Sequence, residues 1–190
     1  MELTHITYQG PAVDDEEMLD RLPDSLRSIL TSVNGFIQFG GALHMRGACF
    51  GPDWHSLRRA WDGPGALHHL FPSVSRDWVP FAEDCVGDQF LLEGDVVLRL
   101  SAEIGDIERM ELSLPDFMKA AATDPVEFLS MHPLLQYLNQ ETKLPEGALV
   151  HAYPPFCSKE SADGVSLRAV PAWELHGFHS QMARTLSGDA

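Results

Sequence analysis

An α+β fold, with a central and mainly antiparallel sheet of about four to six strands flanked by helices, is the architecture the sequence predicts. Three observations carry that expectation. Apolar residues recur at helical spacing near both ends of the chain, as in Leu26, Ile29, Leu30 and Val33. Between Gln89 and Leu112, three short β-type runs are separated by Gly94-Asp95 and Gly105-Asp106, which are tight-turn pairs. The order is helices, then strands, then helices, rather than alternating strand and helix. With 190 residues, 44% hydrophobic and 22% charged, the chain can build one substantial core. A single domain over residues 1–190 is the expectation.

The elements follow in order. Asp14 and Asp15 cap a short helix whose first turn carries Glu16 and Glu17, where acids favour the dipole. Pro23 starts a second helix, which Asn34-Gly35 ends because both residues tolerate a left-handed cap. Phe36 to Phe39 and Leu43 to Met45 are short strands. Pro52 to Leu70 reads as a helix around Trp54, Leu57 and Trp61, broken at Gly63-Pro64-Gly65. The stretch opening at Val79-Pro80 reads as a Pro-led acidic loop, and Gln89–Leu92, Val96–Leu100 and Ile107–Leu112 form a meander. Ser113 with Asp116, and Asp124-Pro125 with Glu127, look like capped helix starts. Pro133 begins another helix, Ala148 to Tyr153 is a strand, and a last helix from Pro171 buries Leu175, Phe178, Met182 and Leu186.

Charge narrows the partners. The chain has 28 acidic and 13 basic residues, a net charge of −15 and a pI near 4.8. Phosphate-rich nucleic acids and anionic membranes would be repelled, whereas cationic partners are attracted and meet the chain faster at low salt. The stretch from Val79 to Glu111 contributes Glu83, Asp84, Asp88, Glu93, Asp95, Glu103, Asp106, Glu108 and Glu111 against Arg99 and Arg109. Cys49, Cys85 and Cys157 form no CxxC pair and fit a reducing compartment. The N-terminal residues lack the basic start and apolar run of a signal peptide, and no apolar run is long enough to span a bilayer; a cytoplasmic location is expected.

Signatures of catalysis are sparse. His176 and His179 lie three apart, but neither they nor His68-His69 have a carboxylate or thiolate at zinc-site spacing, and both His176 and His179 read as surface or boundary residues. The chain has no GxSxG elbow and no phosphate-binding glycine loop with its lysine. Cys85 lies among carboxylates that blunt a thiol. No cofactor and no metal are expected. A hydrolase built on paired acids carries no signature of its own, so it stays open as the alternative to a non-enzyme.

The ordered set Leu22-Pro23, the helix running into Asn34-Gly35, Pro80-Phe81-Ala82-Glu83-Asp84 leading to Gly87-Asp88, three strands after Gln89, and Leu114-Pro115-Asp116-Phe117 resembles the SUKH superfamily. That superfamily includes yeast cell-wall-synthesis regulators and many bacterial immunity proteins. The resemblance covers roughly residues 16 to 130, leaving residues 131–190 as an extension. It implies a compact protein-binding module. Many relatives are immunity proteins that block toxins, often nucleases; a regulatory scaffold for endogenous partners is the other reading within the family. A nuclease holds phosphates in a basic groove, into which an acidic inhibitor can dock. Asp84, Asp88, Glu93 and Asp95, in turn-rich segments, are the candidate contacts for a basic toxin. Against that, Asp84 and Asp88 equally suit hydrogen bonds within their own loop, and Glu93 and Asp95 suit ordinary turn positions. Trp54, Trp61 and Trp78 have apolar neighbours and read as core residues rather than exposed anchors.

Overall fold

The computed structural model describes residues 4–188. Seven antiparallel strands form one sheet in the order of the chain: β1 (Ile6–Gln9), β2 (Phe36–Gln38), β3 (Leu43–Met45), β4 (Val79–Asp84), β5 (Gln89–Glu93), β6 (Val96–Ser101) and β7 (Asp106–Ser113). The α+β class is as predicted, with more strands than the four to six expected. The additional members are β1 and β4. β4 is the segment that reads as a Pro-led acidic loop, yet every one of its residues is buried.

Proline can enter this strand because the ladder is broken there. Val79 pairs with Leu92 and Ala82 with Phe90, so three steps on β4 match two on β5. Such a bulge tolerates the missing N–H and re-aims the residues that follow. Val79 and Phe81 both point into the main core, and strict alternation would send Glu83 after them. The extra residue instead puts Ala82 into that core and turns Glu83 to the opposite face.

Helices cover both faces. On one side lie α1 (Glu16–Asp20), α2 (Asp24–Ser32), α5 (Leu114–Thr123), α6 (Pro125–Phe128) and α7 (His132–Leu138). Their Met18, Leu26, Leu30, Leu114 and Leu134 pack with Phe36, Phe81, Phe90 and Phe117. Fully burying each such side chain contributes about 1.5–3 kcal/mol before entropy is subtracted. The expected caps are present: Asp15 accepts from the Met18 N–H, Ser113 from Asp116 and Asp124 from Glu127. The helical stretch expected over residues 52–70 is broken at Gly63-Pro64-Gly65 as predicted, into α3 (Leu57–Trp61) and α4 (Leu67–Leu70), but it starts only at Leu57, leaving Trp54 outside it.

The second face is covered by α4 and by α8 (Ala172–Ser187), through Leu67, Phe71, Leu91, Leu98, Leu100 and Ala183. A separate hairpin of β8 (Ala148–Tyr153) and β9 (Ser166–Pro171) precedes α8 and is tied to the end of β4 by a Val150 N–H to Cys85 carbonyl bond of 2.7 Å. The buried stripe of α8 is Ala172, Leu175, His179, Ser180 and Ala183. Phe178 and Leu186, expected inside, are exposed, and His179 and Ser180 are buried beside the apolar Ala172, Leu175 and Ala183. Among the described residues no helix is long and apolar enough to cross a membrane.

Candidate functional site

Strand register assembles the most unusual part of the molecule. One row of residues crosses all seven strands on the α8 side: Tyr8, Ile37, His44, Glu83, Gln89, Leu100 and Ile107. Its centre is polar. Glu83 is 1% exposed, and its carboxylate gathers four partners. His44 Nδ1 lies 2.9 Å from Oε1. Oε2 accepts from Arg46 at 2.8 Å and from the Gln89 amide at 3.0 Å, and His176 Nε2 lies 2.7 Å away. Gln89 also donates to the Gly87 carbonyl, which uses both amide protons, so His176 is the donor in its contact with Glu83. Arg46 completes its set on Gln89 Oε1 at 2.7 Å and the Pro80 carbonyl at 3.0 Å.

Burial alone would push the Glu83 carboxyl up. The Arg46 and His176 charges and the hydrogen bonds from His176 and His44 outweigh it and hold the group well below the usual carboxylate range. The ion pair thus sits in the core as a charged unit with hydrogen-bond partners on both oxygens, the condition under which a buried charge is tolerable.

The row extends through a second histidine. His44 Nε2 lies 2.9 Å from His55 Nδ1, and His55 Nε2 lies 3.0 Å from the Asn34 carbonyl oxygen. His55 is completely buried, in a seat made of glycines. A Cβ on Gly10, Gly35 or Gly47 would come within 2.3, 2.6 and 2.8 Å of its ring. The loop over residues 46–56 folds back on itself to deliver it, with the Gly47 N–H donating to the His55 carbonyl at 2.9 Å. Tyr8 and Trp54 pack on the two imidazoles, with ring centroids 5.1–5.3 Å apart.

Two clefts flank the first turn of α8, with Ala172 lining both. One, of about 340 Å³, is lined by Tyr8, His44, Glu83 and Leu144. The other, of about 280 Å³, is lined by Arg46, Trp54, Ser56, Arg59, Trp173 and His176. Trp173 is 73% exposed at its rim, and the Ser56 hydroxyl is buried without a hydrogen-bond partner.

The four acids picked out from the sequence fall into separate environments. Asp84 is buried rather than exposed: Oδ1 accepts from the Val86 and Asp88 N–H groups, each at 3.0 Å. Burial and the neighbouring Asp88 push its carboxyl up, against Arg99. Asp88 is mostly enclosed, accepting from Arg99 at 2.8 and 3.1 Å and from the Ala102 N–H at 2.9 Å. Both therefore organise the β4–β5 connection and are corrected as contact candidates; a short Asp side chain serves its own loop before it serves a partner. Glu93 accepts from the Trp78 indole and pairs with Arg109 while staying half-exposed. Asp95 is exposed in the β5–β6 turn.

Other expectations divide similarly. Trp61 is buried and Trp54 and Trp78 half-buried, whereas Trp173, the exposed one, was not singled out. His179 is buried rather than at the surface, and burial, with His176 and His151 nearby, takes it down to about 3. Burial, then Asp84, pushes the Cys85 thiol well up, as expected of a blunted thiol. Among the described residues, no group of three or more His, Cys, Asp or Glu has the arrangement of a metal site.

No family model matches the chain, and no curated protein matches it. Among solved structures it is similar to the crystal structure of Atu4351 from Agrobacterium tumefaciens, with a TM-score of 0.61 and 12% identity, over 93% of this chain and 85% of that one. The likeness is one of fold.

Proposed function

We propose that this chain is a non-enzymatic protein-binding module of the immunity type, which neutralises a cationic, nuclease-type toxin by covering its basic groove. The observation that carries the reading is where the charges end up. Arg21, Arg27, Arg46, Arg58, Arg59, Arg99 and Arg109 are each already paired with a carboxylate of the same chain. The surface keeps carboxylates such as Asp95, Asp106 and Glu108, which form no ion pair with those arginines and face water. Six exposed basic residues lie outside those pairs, Arg76, Lys119, Lys143, Lys159, Arg168 and Arg184, and still leave it with a large acidic excess. An excess of one sign accelerates encounter with a partner of the other. The resemblance to the SUKH superfamily supports the same class of function.

The rival, a small hydrolase using the acids near Asp84, needs those acids and a histidine together in a deep cleft. Asp84 and Asp88 are instead consumed by backbone N–H groups and Arg99. Glu83, the best-placed buried acid, has four neighbours on its two oxygens and is held well below the usual carboxylate range, which suits a structural charge better than a general base.

The test is co-expression with basic nuclease-type proteins encoded beside it. Protection of the cells, and a complex on a sizing column that weakens with salt, are expected. Continued killing and no complex with every such candidate would remove the reading; binding several endogenous proteins without protection would favour a regulatory scaffold.

A further inference from the structure

The buried chain Glu83–His44–His55–Asn34 does not balance its own protons. Its two ends are a carboxylate oxygen, which the surrounding donors hold ionised, and a backbone carbonyl oxygen. Neither end can donate. Between them lie three contacts of 2.9, 2.9 and 3.0 Å, each a hydrogen-bond distance. Three hydrogen bonds need three protons, and two neutral imidazoles supply two. With both rings neutral, one contact always sets two lone pairs against each other.

Rotation does not restore the balance. Turning either imidazole over would put ring carbons where its nitrogens now meet their partners, giving up contacts instead of supplying a proton. Gly10, Gly35 and Gly47 close in on the His55 ring, and Glu83, itself held by Gln89 of β5, fixes His44 from β4. Aromatic rings sit where a cation would gain from them: Trp54 lies 5.1 Å from His44 and 5.3 Å from His55, and Tyr8 lies 5.2 Å from His55. The other charged or titratable neighbours are few. Arg46 and His176 oppose a positive charge on the pair, and Glu83 favours it. Glu146 acts on the neighbouring Tyr8. At neutral pH burial keeps both rings unprotonated, lowering His44 and taking His55 down to about 4.

We propose that His44 and His55 together form a single-proton site: on acidification the pair takes one proton from water, completes the hydrogen-bond chain from Glu83 to Asn34, and carries one positive charge shared over two rings. All three contacts are then attractive, so the stretch that carries Trp54 is held more firmly to β3 and β4. A second proton would leave two donors facing each other between the rings, so the capacity of the site is one. The proposal stands on this proton balance and is independent of the partner reading above.

Nitrogen NMR of the imidazoles, followed from neutral pH to about pH 3, tests it. His44 and His55 are expected to shift together with one midpoint and to gain one proton between them while the fold persists. Trp54 lies against both rings, so indole fluorescence is expected to fall along the same curve, and that step is expected to vanish in Trp54→Phe. His44→Gln should abolish the step at His55; if that variant does not fold, the wild-type spectra decide alone. Separate full-proton steps for the two rings, or two rings that stay neutral until the protein unfolds in acid, would overturn the proposal.

Discussion

Glu83, in the middle of the sheet, and Asp95, in the β5–β6 turn, are both acids of the stretch that looks most conspicuous in the sequence, yet their surroundings are opposite. Glu83 is enclosed by four donors supplied from β3, the stretch after it, β5 and α8. Asp95 faces water. The inner carboxylate is a fastener: it joins strands to the C-terminal helix, and its removal leaves Arg46 charged and unpaired in the core. The outer one contributes to the field of the surface and little to folding. Acidic composition alone does not separate these roles; the parity of each strand does.

The contrast can be broken from the inside first. Glu83→Gln keeps the shape but strands the Arg46 charge, and a loss of about 3–5 kcal/mol is expected in urea unfolding. A change no larger than that of a surface substitution would show that the charge is solvated after all. The next largest effect concerns the histidine seat: Gly47→Ala places a methyl group 2.5 Å from the Asn34 carbonyl oxygen and 2.8 Å from His55. Overpacking of that kind costs about 1–3 kcal/mol, readable as a lowered melting temperature.

Acid sensitivity sharpens the same comparison. His179 is buried with Nδ1 unpartnered, and its folded-state value of about 3 lies below the ordinary value near 6.5. The unfolded chain therefore binds the proton first. The stability His179 contributes is complete above about pH 6.5 and is lost as pH falls toward 3. His179→Leu should flatten stability against pH in that window, measured by urea midpoints; an unchanged slope would assign the acid limb elsewhere. The smallest effect on folding belongs to the outside. Asp95→Asn with Glu108→Gln should leave the urea midpoint where it was, yet slow association with a cationic partner and weaken its salt dependence. Unchanged association kinetics would move the interface away from this end of the sheet.

Much of the architecture was legible. The meander from Gln89 to Leu112, the Asp15, Ser113 and Asp124 caps and the β8 strand all follow from local chemistry: turn pairs, capping side chains and alternation. β4 was not legible, because Pro80 and the acids Glu83 and Asp84 carry the composition of a loop, and only the bulge reconciles them with a central strand. The face of α8 was misread for a related reason. Its buried side meets a polar patch, so His179 and Ser180 go inside while Phe178 and Leu186 stay out. The histidine network was invisible to spacing rules, since His44, His55, Glu83 and His176 come from four separate segments and meet only through sheet register.

The bulge in β4 has a wider reach than its size suggests. It acts as a frame marker for the strand, much as one inserted letter sets how every later word is read. Closing the bulge at full length would not be a local lesion. It would exchange the two sides of everything from Ala82 to Asp84, turning Glu83 toward Phe90 and Phe117 and leaving Arg46 without its counter-charge. Deleting one residue between Val79 and Ala82 is the way of closing it that would do least harm, because two steps would then match two and Glu83 would still face Gln89.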